Sequence, residues 1–177
     1  KRTVQLSLVA DPKPWNGLPD FEKGKIKELD LCDPSIAEMP NEKKIEIAKQ
    51  TEKIALSYDK RITKTDGGYF GDSEREVIIV NSKGISYASK SSGVNFGVGV
   101  IAGEGSDMQS GYWSSSKRHA KDLDTVENVA KTAAKRAVER LGAKPVETQK
   151  VPVVYDRYEA GTFWYGILWA MNGDSVF

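Results

Sequence analysis

The chain of 177 residues carries 26 Lys plus Arg against 25 Asp plus Glu, a formal net charge of +1, with 39% hydrophobic and 29% charged residues. That balance describes a globular chain long enough to bury a core, and it gives no global field for nucleic acid. One Cys and one His exclude an intrachain disulfide and any protein-only metal site that needs two histidines, and no run approaches the roughly 18 to 20 apolar residues of a membrane span.

In chain order, residues 3–9 alternate, with Val4, Leu6 and Leu8 on one face, which predicts a half-buried strand. Residues 11–25 and 60–75 read as long loops, the first rich in proline and containing Trp15. A helix is expected over about residues 42–58, where Ile47, Ala48, Thr51, Ile54, Ala55 and Tyr58 share a face behind Pro40 and Asn41.

A β-rich middle follows, with about four strands expected. Residues 76–80 and 85–88 flank Asn81-Ser82-Lys83-Gly84, a hairpin connection in which Gly84 supplies positive φ. From 94 to 102, Val94, Phe96, Val98 and Val100 alternate with Asn95, Gly97 and Gly99, so the glycine face must lie against something close or sit on a twisted edge. A turn at 103–106 leads into a strand over 108–114.

The next helix has Asp124 as the expected cap, Glu127 three residues later, and a stripe of Val126, Val129, Ala130, Ala133, Ala137 and Leu141 ending at Gly142. Lys131, Lys135, Arg136, Glu139 and Arg140 are expected on its outer face. Val151 to Tyr155 reads as a strand, and Arg157 to Met171 as a helix with Phe163, Trp164, Ile167 and Leu168 on one stripe. Strands segregated between helices indicate an α+β fold with a largely antiparallel sheet. Residues 1–155 are read as one α+β domain, and 156–177 as the helix opening the next.

Candidate sites are few. The glycines of 93–99 lie within a strand, whereas a phosphate loop needs them between a strand and a helix. Asp59, Asp66, Asp72, Glu74 and Glu76 do not follow the register of a calcium loop and read as solvent-facing. Lys117, Arg118 and Lys121 form a compact basic patch around His119, read as a solvated loop with a surface histidine. Cys32 reads as a buried or idle thiol, and Trp113, Trp164 and Trp169 as core or interface residues.

The order of segments resembles the TldD/PmbA family, also called modulator of DNA gyrase. The resemblance rests on residues 42–62 with their Asp59-x-Arg61-Ile62 corner, the Asn81-Ser82-x-Gly84 hairpin, MQSGYWSSSKR, the helix ending RLGAKPVETQKVPVVYD, and AGTFWYGILWAMNGDSVF. Within the family the chain looks more like the PmbA (TldE) branch, and it reads as an N-terminal to central segment of a longer protein. The resemblance implies a cytoplasmic partner or scaffold subunit of a zinc metallopeptidase that processes unfolded or extended peptides, dimerised with a TldD-like subunit or with itself. Zinc is then expected only in a TldD-type partner or in a C-terminal part beyond Phe177, as a His-Glu-x-x-x-His motif. This segment carries no such motif, so no catalytic or metal residue is assigned.

An extended peptide is expected to add to the edge of the strand bearing Gly97 and Gly99. The competing expectation is a non-proteolytic module binding a DNA-gyrase-related partner, or nucleic acid through Lys117, Arg118 and Lys121. Nucleic acid is the less expected partner, and a membrane is not expected.

Overall fold

The computed structural model describes residues 2–9, 17–18 and 29–176. Among them run α1 (Arg2–Ser7), α2 (Asn41–Leu56), β1 (Ile62–Val80), β2 (Ser86–Ala102), β3 (Gln109–Lys117), α3 (Val126–Glu139), α4 (Arg157–Ala170) and α5 (Gly173–Val176). The fold is α+β, with one antiparallel sheet in the order β1-β2-β3. The chain divides into two compact units, residues 1–142 and 143–177.

In the first unit the alternation of β2 becomes sidedness. Val94, Phe96, Val98, Val100 and Ala102 are buried on one face, and Val98, Val100 and Ala102 share a core with Ala55 of α2 and Ala130, Ala133, Ala134 and Ala137 of α3. Burying side chains of this size contributes roughly 1.5–3 kcal/mol for each Val or Phe. Two glycines let the helices approach. A Cβ on Gly68 of β1 would fall 2.1 Å from the Ala48 carbonyl oxygen, and one on Gly111 of β3 would fall 2.3 Å from that of Ala133. Both helices cover the same face, which leaves the other open.

Two family motifs form the joints of this unit. At the Asp59 corner, Arg61 Nε and Nη2 donate to the two carboxylate oxygens at 2.9 and 2.7 Å, and Gly103 N donates to the Arg61 carbonyl at 2.8 Å. This fork, led by the side-chain hydrogen bond, holds the Asp59 carboxyl well below the usual carboxylate range. At the hairpin tip, the Asn81 side chain accepts from Lys83 N and Ile85 N, both at 3.0 Å, and Gly84 has φ +90° as expected.

Several elements differ from the sequence reading. Residues 2–7 are helical rather than a strand: no strand among the described residues pairs with them, and a helix satisfies its backbone groups alone. The expected loop over 60–75 is mostly β1, whose glycines and charges obscure the pattern but which pairs with β2 along its length. Three strands replace four because 86–102 is continuous through the polar Ser89–Gly93 stretch. Residues 151–155 form no strand, for among the described residues nothing pairs with them and Pro152 has no N–H to give.

Helix α3 is capped by Thr125, whose side chain accepts from Asn128 N at 3.2 Å, because Asp124 N is held instead by Ser115 Oγ at 3.0 Å. Arg136 does not face outward, but lies over the Trp113 ring at 4.1 Å. Trp15 and most of the 11–25 loop lie outside the described residues.

The second unit holds an irregular stretch, then α4 and α5. The Asp156 side chain caps α4 by accepting from Tyr158 N at 2.9 Å, and Tyr155 stacks on Phe163 at 5.3 Å. Trp164 and Trp169, expected as core or interface residues, are exposed.

The cap assignment is testable by urea unfolding. Thr125→Ala should cost about 1 kcal/mol, and Asp124→Ala clearly less; the reverse order would place the cap at Asp124.

Candidate functional site

The open face of the sheet is built by the residues that alternate with the core. Along β2 these include Asn95, Gly97 and Gly99; the register sets Tyr69 of β1 and Ser114 of β3 beside Gly97, and Gly67 and Tyr112 beside Gly99. Across the glycine strand the Tyr69 and Tyr112 hydroxyls meet at 2.7 Å. The room comes from the glycines. A Cβ on Gly97 would meet the Trp113 carbonyl oxygen at 2.7 Å and Tyr69 Cε1 at 2.9 Å, and one on Gly99 would meet Asp66 Oδ2 at 2.9 Å.

Asp66 rides on the irregularity between Thr65 and Gly67, held where Thr65 Oγ1 donates to the Gly99 carbonyl at 3.0 Å and accepts from Gly67 N at 2.8 Å. What lies close to the glycine face is therefore the chain's own Tyr69, Asp66 and β3 backbone.

This arrangement corrects the expected use of Gly97 and Gly99. They lie on the central strand, paired on both sides, so no peptide can add to the edge of residues 94–102. Free edges belong to the outer sides of β1 and β3.

A second cluster joins residues 29–36 to the sheet. Ser92 N donates to the Leu31 carbonyl at 2.9 Å, while Ser92 Oγ accepts from Asp33 N and donates to the Arg118 carbonyl, both at 2.8 Å. The Asp33 carboxylate accepts from Ser35 Oγ at 2.6 Å and from Ala120 N at 2.8 Å, and these hydrogen bonds, Ser35 first, hold its pKa below the ordinary value. His119 is not a free surface histidine: its side chain is 15% exposed, and Nε2 lies 3.0 Å from Asp30 Oδ1. Cys32, half-buried, lines a small hollow with Glu74, Arg75, Glu76, Lys90 and Ser91. No single stretch of sequence signals these partners, since up to 89 residues separate them.

The basic candidates do not converge on one element. Lys117 ends β3, Arg118 follows it, and Lys121 lies in a short 3-10 turn, all exposed. The donors around His119 do not suit zinc either. Asp30 faces Nε2 and Asp122 faces Nδ1 at 3.9 Å, on opposite sides of the ring, so the three cannot share one ion. Among the described residues no group of three or more His, Cys, Asp or Glu side chains could hold a metal, and no helix is long and apolar enough to cross a membrane.

Residues 34–141, which span the sheet and its two covering helices, match the family described as the PmbA/TldA metallopeptidase central domain. The chain belongs to the TldD/PmbA family. It is 34% identical to the metalloprotease PmbA of Escherichia coli O157:H7 over 99% of its own length and 40% of that protein, and 32% identical to a PmbA homologue of Buchnera aphidicola over 97% and 39%. It thus spans about 40% of the length of these curated relatives.

A crystal structure from Bacteroides thetaiotaomicron, described as a proposed modulator of DNA gyrase, superposes with a TM-score of 0.88 at 26% identity, covering 98% of this chain and 40% of that one. TldE of Thermococcus kodakarensis, at 21% identity and TM-score 0.62 over 76% of this chain and 30% of its own, shares the fold.

The tyrosine bridge makes a measurable prediction. Burial, then the bond to Tyr112, pushes the Tyr69 pKa up from 10.0 to about 12. The folded chain therefore keeps a proton that the unfolded chain releases near pH 10, so this contribution to stability is complete below that pH and is lost as pH climbs towards 12. Ultraviolet titration should show one late tyrosine, and Tyr112→Phe should move it earlier. An unchanged profile in the variant would remove the bridge as a cause.

Proposed function

We propose that this chain is the N-terminal to central part of a PmbA/TldE-type subunit, a scaffold and partner within a zinc metallopeptidase assembly that processes unfolded or extended peptides in the cytoplasm. The observation that carries this reading is the 34% identity to a protein named metalloprotease PmbA, running through nearly the whole chain. In this reading zinc and the activated water belong to a TldD-type partner or to sequence beyond Phe177, where a His-Glu-x-x-x-His motif would place two histidines within reach of one ion.

The contribution of residues 1–142 is a stiff two-layer platform. Its helix-covered face keeps the sheet rigid, and its open face offers Asn95, the tyrosine bridge and the Gly97–Gly99 floor to an extended chain lying across the sheet. The open residues bring hydrogen-bonding groups and no nucleophile–base pair, which suits holding a substrate more than cleaving it. The opening of a further domain by residues 156–177 belongs to the same reading.

Reconstitution tests it. The full-length protein is mixed with a TldD-type subunit and an unfolded protein substrate, with cleavage followed by mass spectrometry. Each subunit alone should be nearly inactive, and the mixture should be at least tenfold faster. Cleavage by the full-length protein alone at the rate of the mixture, or no gain on mixing, would contradict the partner role.

A further inference from the structure

The hairpin of β1 and β2 outruns the sheet. Strand β3 pairs with β2 only from Val94 to Ala102, whereas β1 and β2 stay paired from Ser73↔Gly93 out to Val80↔Ser86. Eight residue pairs thus project as a two-stranded arm, roughly 25 Å long at about 3.3 Å per residue. A two-stranded ribbon in water is marginal without a third strand or a packed face. This arm ends in apolar residues on both faces: Ile78 is 66% exposed, Ile79 49% and Val80 69%.

Its outer edge is equally uncovered. Strand β1 lies at the side of the sheet, it contains no proline, and its two irregularities fall between Ile62 and Gly67, which leaves the distal half regular. A long, regular, apolar edge of this kind is a template for another strand.

We infer that the β1 edge of this arm is the surface on which a second copy of the chain pairs, antiparallel, about a two-fold axis at Ile78. The charge pattern selects the occupant and the register. Centring the pair on Glu76 or Arg75 sets each charge against its own copy, and centring it on Val77 sets Glu74, Arg75 and Glu76 against apolar residues. Centring it on Ile78 opposes Ile78 to itself and Val77 to Ile79 twice, with no like charges opposed. A second arm therefore supplies matching apolar side chains on both faces of the joined sheet, which a peptide of arbitrary sequence does not. The contact is isologous and closes on itself, so it yields a dimer rather than a fibre. It stands on the arm alone and is independent of the peptidase reading.

The test uses the full-length polypeptide. Sedimentation should show a dimer, and Ile78→Lys should weaken self-association at least tenfold with an unchanged melting temperature, since Ile78 is exposed in the single chain. In a Cys32→Ser background, Ile78→Cys should form disulfide-linked dimers on mild oxidation, whereas Ser82→Cys in the turn should not. A monomer at tens of micromolar, a dimer indifferent to Ile78→Lys, or a lowered melting temperature with the dimer intact would overturn the inference; the last outcome would show the arm covered by its own chain. Cross-linking only to a different subunit would overturn it too, while leaving the partner role in peptide processing in place.

Discussion

The close approach of two helices to one face of a short sheet governs this molecule. Strands β1 and β3 each present a glycine where a helix backbone passes, Gly68 beneath Ala48 and Gly111 beneath Ala133. Helix α3 answers with a run of alanines, and β2 fills the centre with Val98 and Val100. Small residues at the contact bring backbones together, so many weak dispersion contacts replace a few large side chains. Both helices then lie on the same side, and the other face of the sheet is left to hydrogen-bonding groups.

That sidedness explains features that look unrelated in sequence. Gly97 and Gly99 face away from the helices, and their missing side chains let Tyr69 lie down and reach Tyr112 across the central strand. The buried Ser115 and Ser92 spend their hydroxyls on tethers, one to the start of α3 and one to the segment around Asp33. The Asp59–Arg61 fork ends the path from α2 into β1 and bonds to the turn between β2 and β3 through Gly103. The motifs that carry the family resemblance are joints of the domain, and their chemistry is hydrogen bonding at corners. The domain carries the family's architecture; the peptidase chemistry belongs to the proposal for the assembly.

The sequence made some of this legible and hid the rest for physical reasons. Strand β2 from Val94 to Ala102, the hairpin at Asn81 to Gly84, and α2, α3 and α4 all follow from local periodicity and turn chemistry, which a single sequence displays directly. Strand β1 did not, because its inner half is TKTDGGYFGDSE, and only pairing with β2 gives those glycines and charges an extended backbone. The cap of α3 moved by one residue because Ser115, distant in sequence, took the Asp124 N–H. The tyrosine bridge and the Asp33–Ser92–His119 cluster were invisible for the same reason, since each joins residues from separate elements. Had β1 been read as a strand in register, Tyr69 opposite Gly97 would have been the available signal.

The central claim is that backbone contact at Gly68 and Gly111 holds the helices on one face, and urea unfolding of Gly111→Ala tests it most directly. A methyl group there must displace α3, so the variant should lose about 2–3 kcal/mol, and Gly68→Ala should lose a similar amount through α2. If either variant were as stable as the parent, or gained the roughly 0.5–1 kcal/mol that alanine brings over glycine inside a strand, the helices would not sit where this account places them.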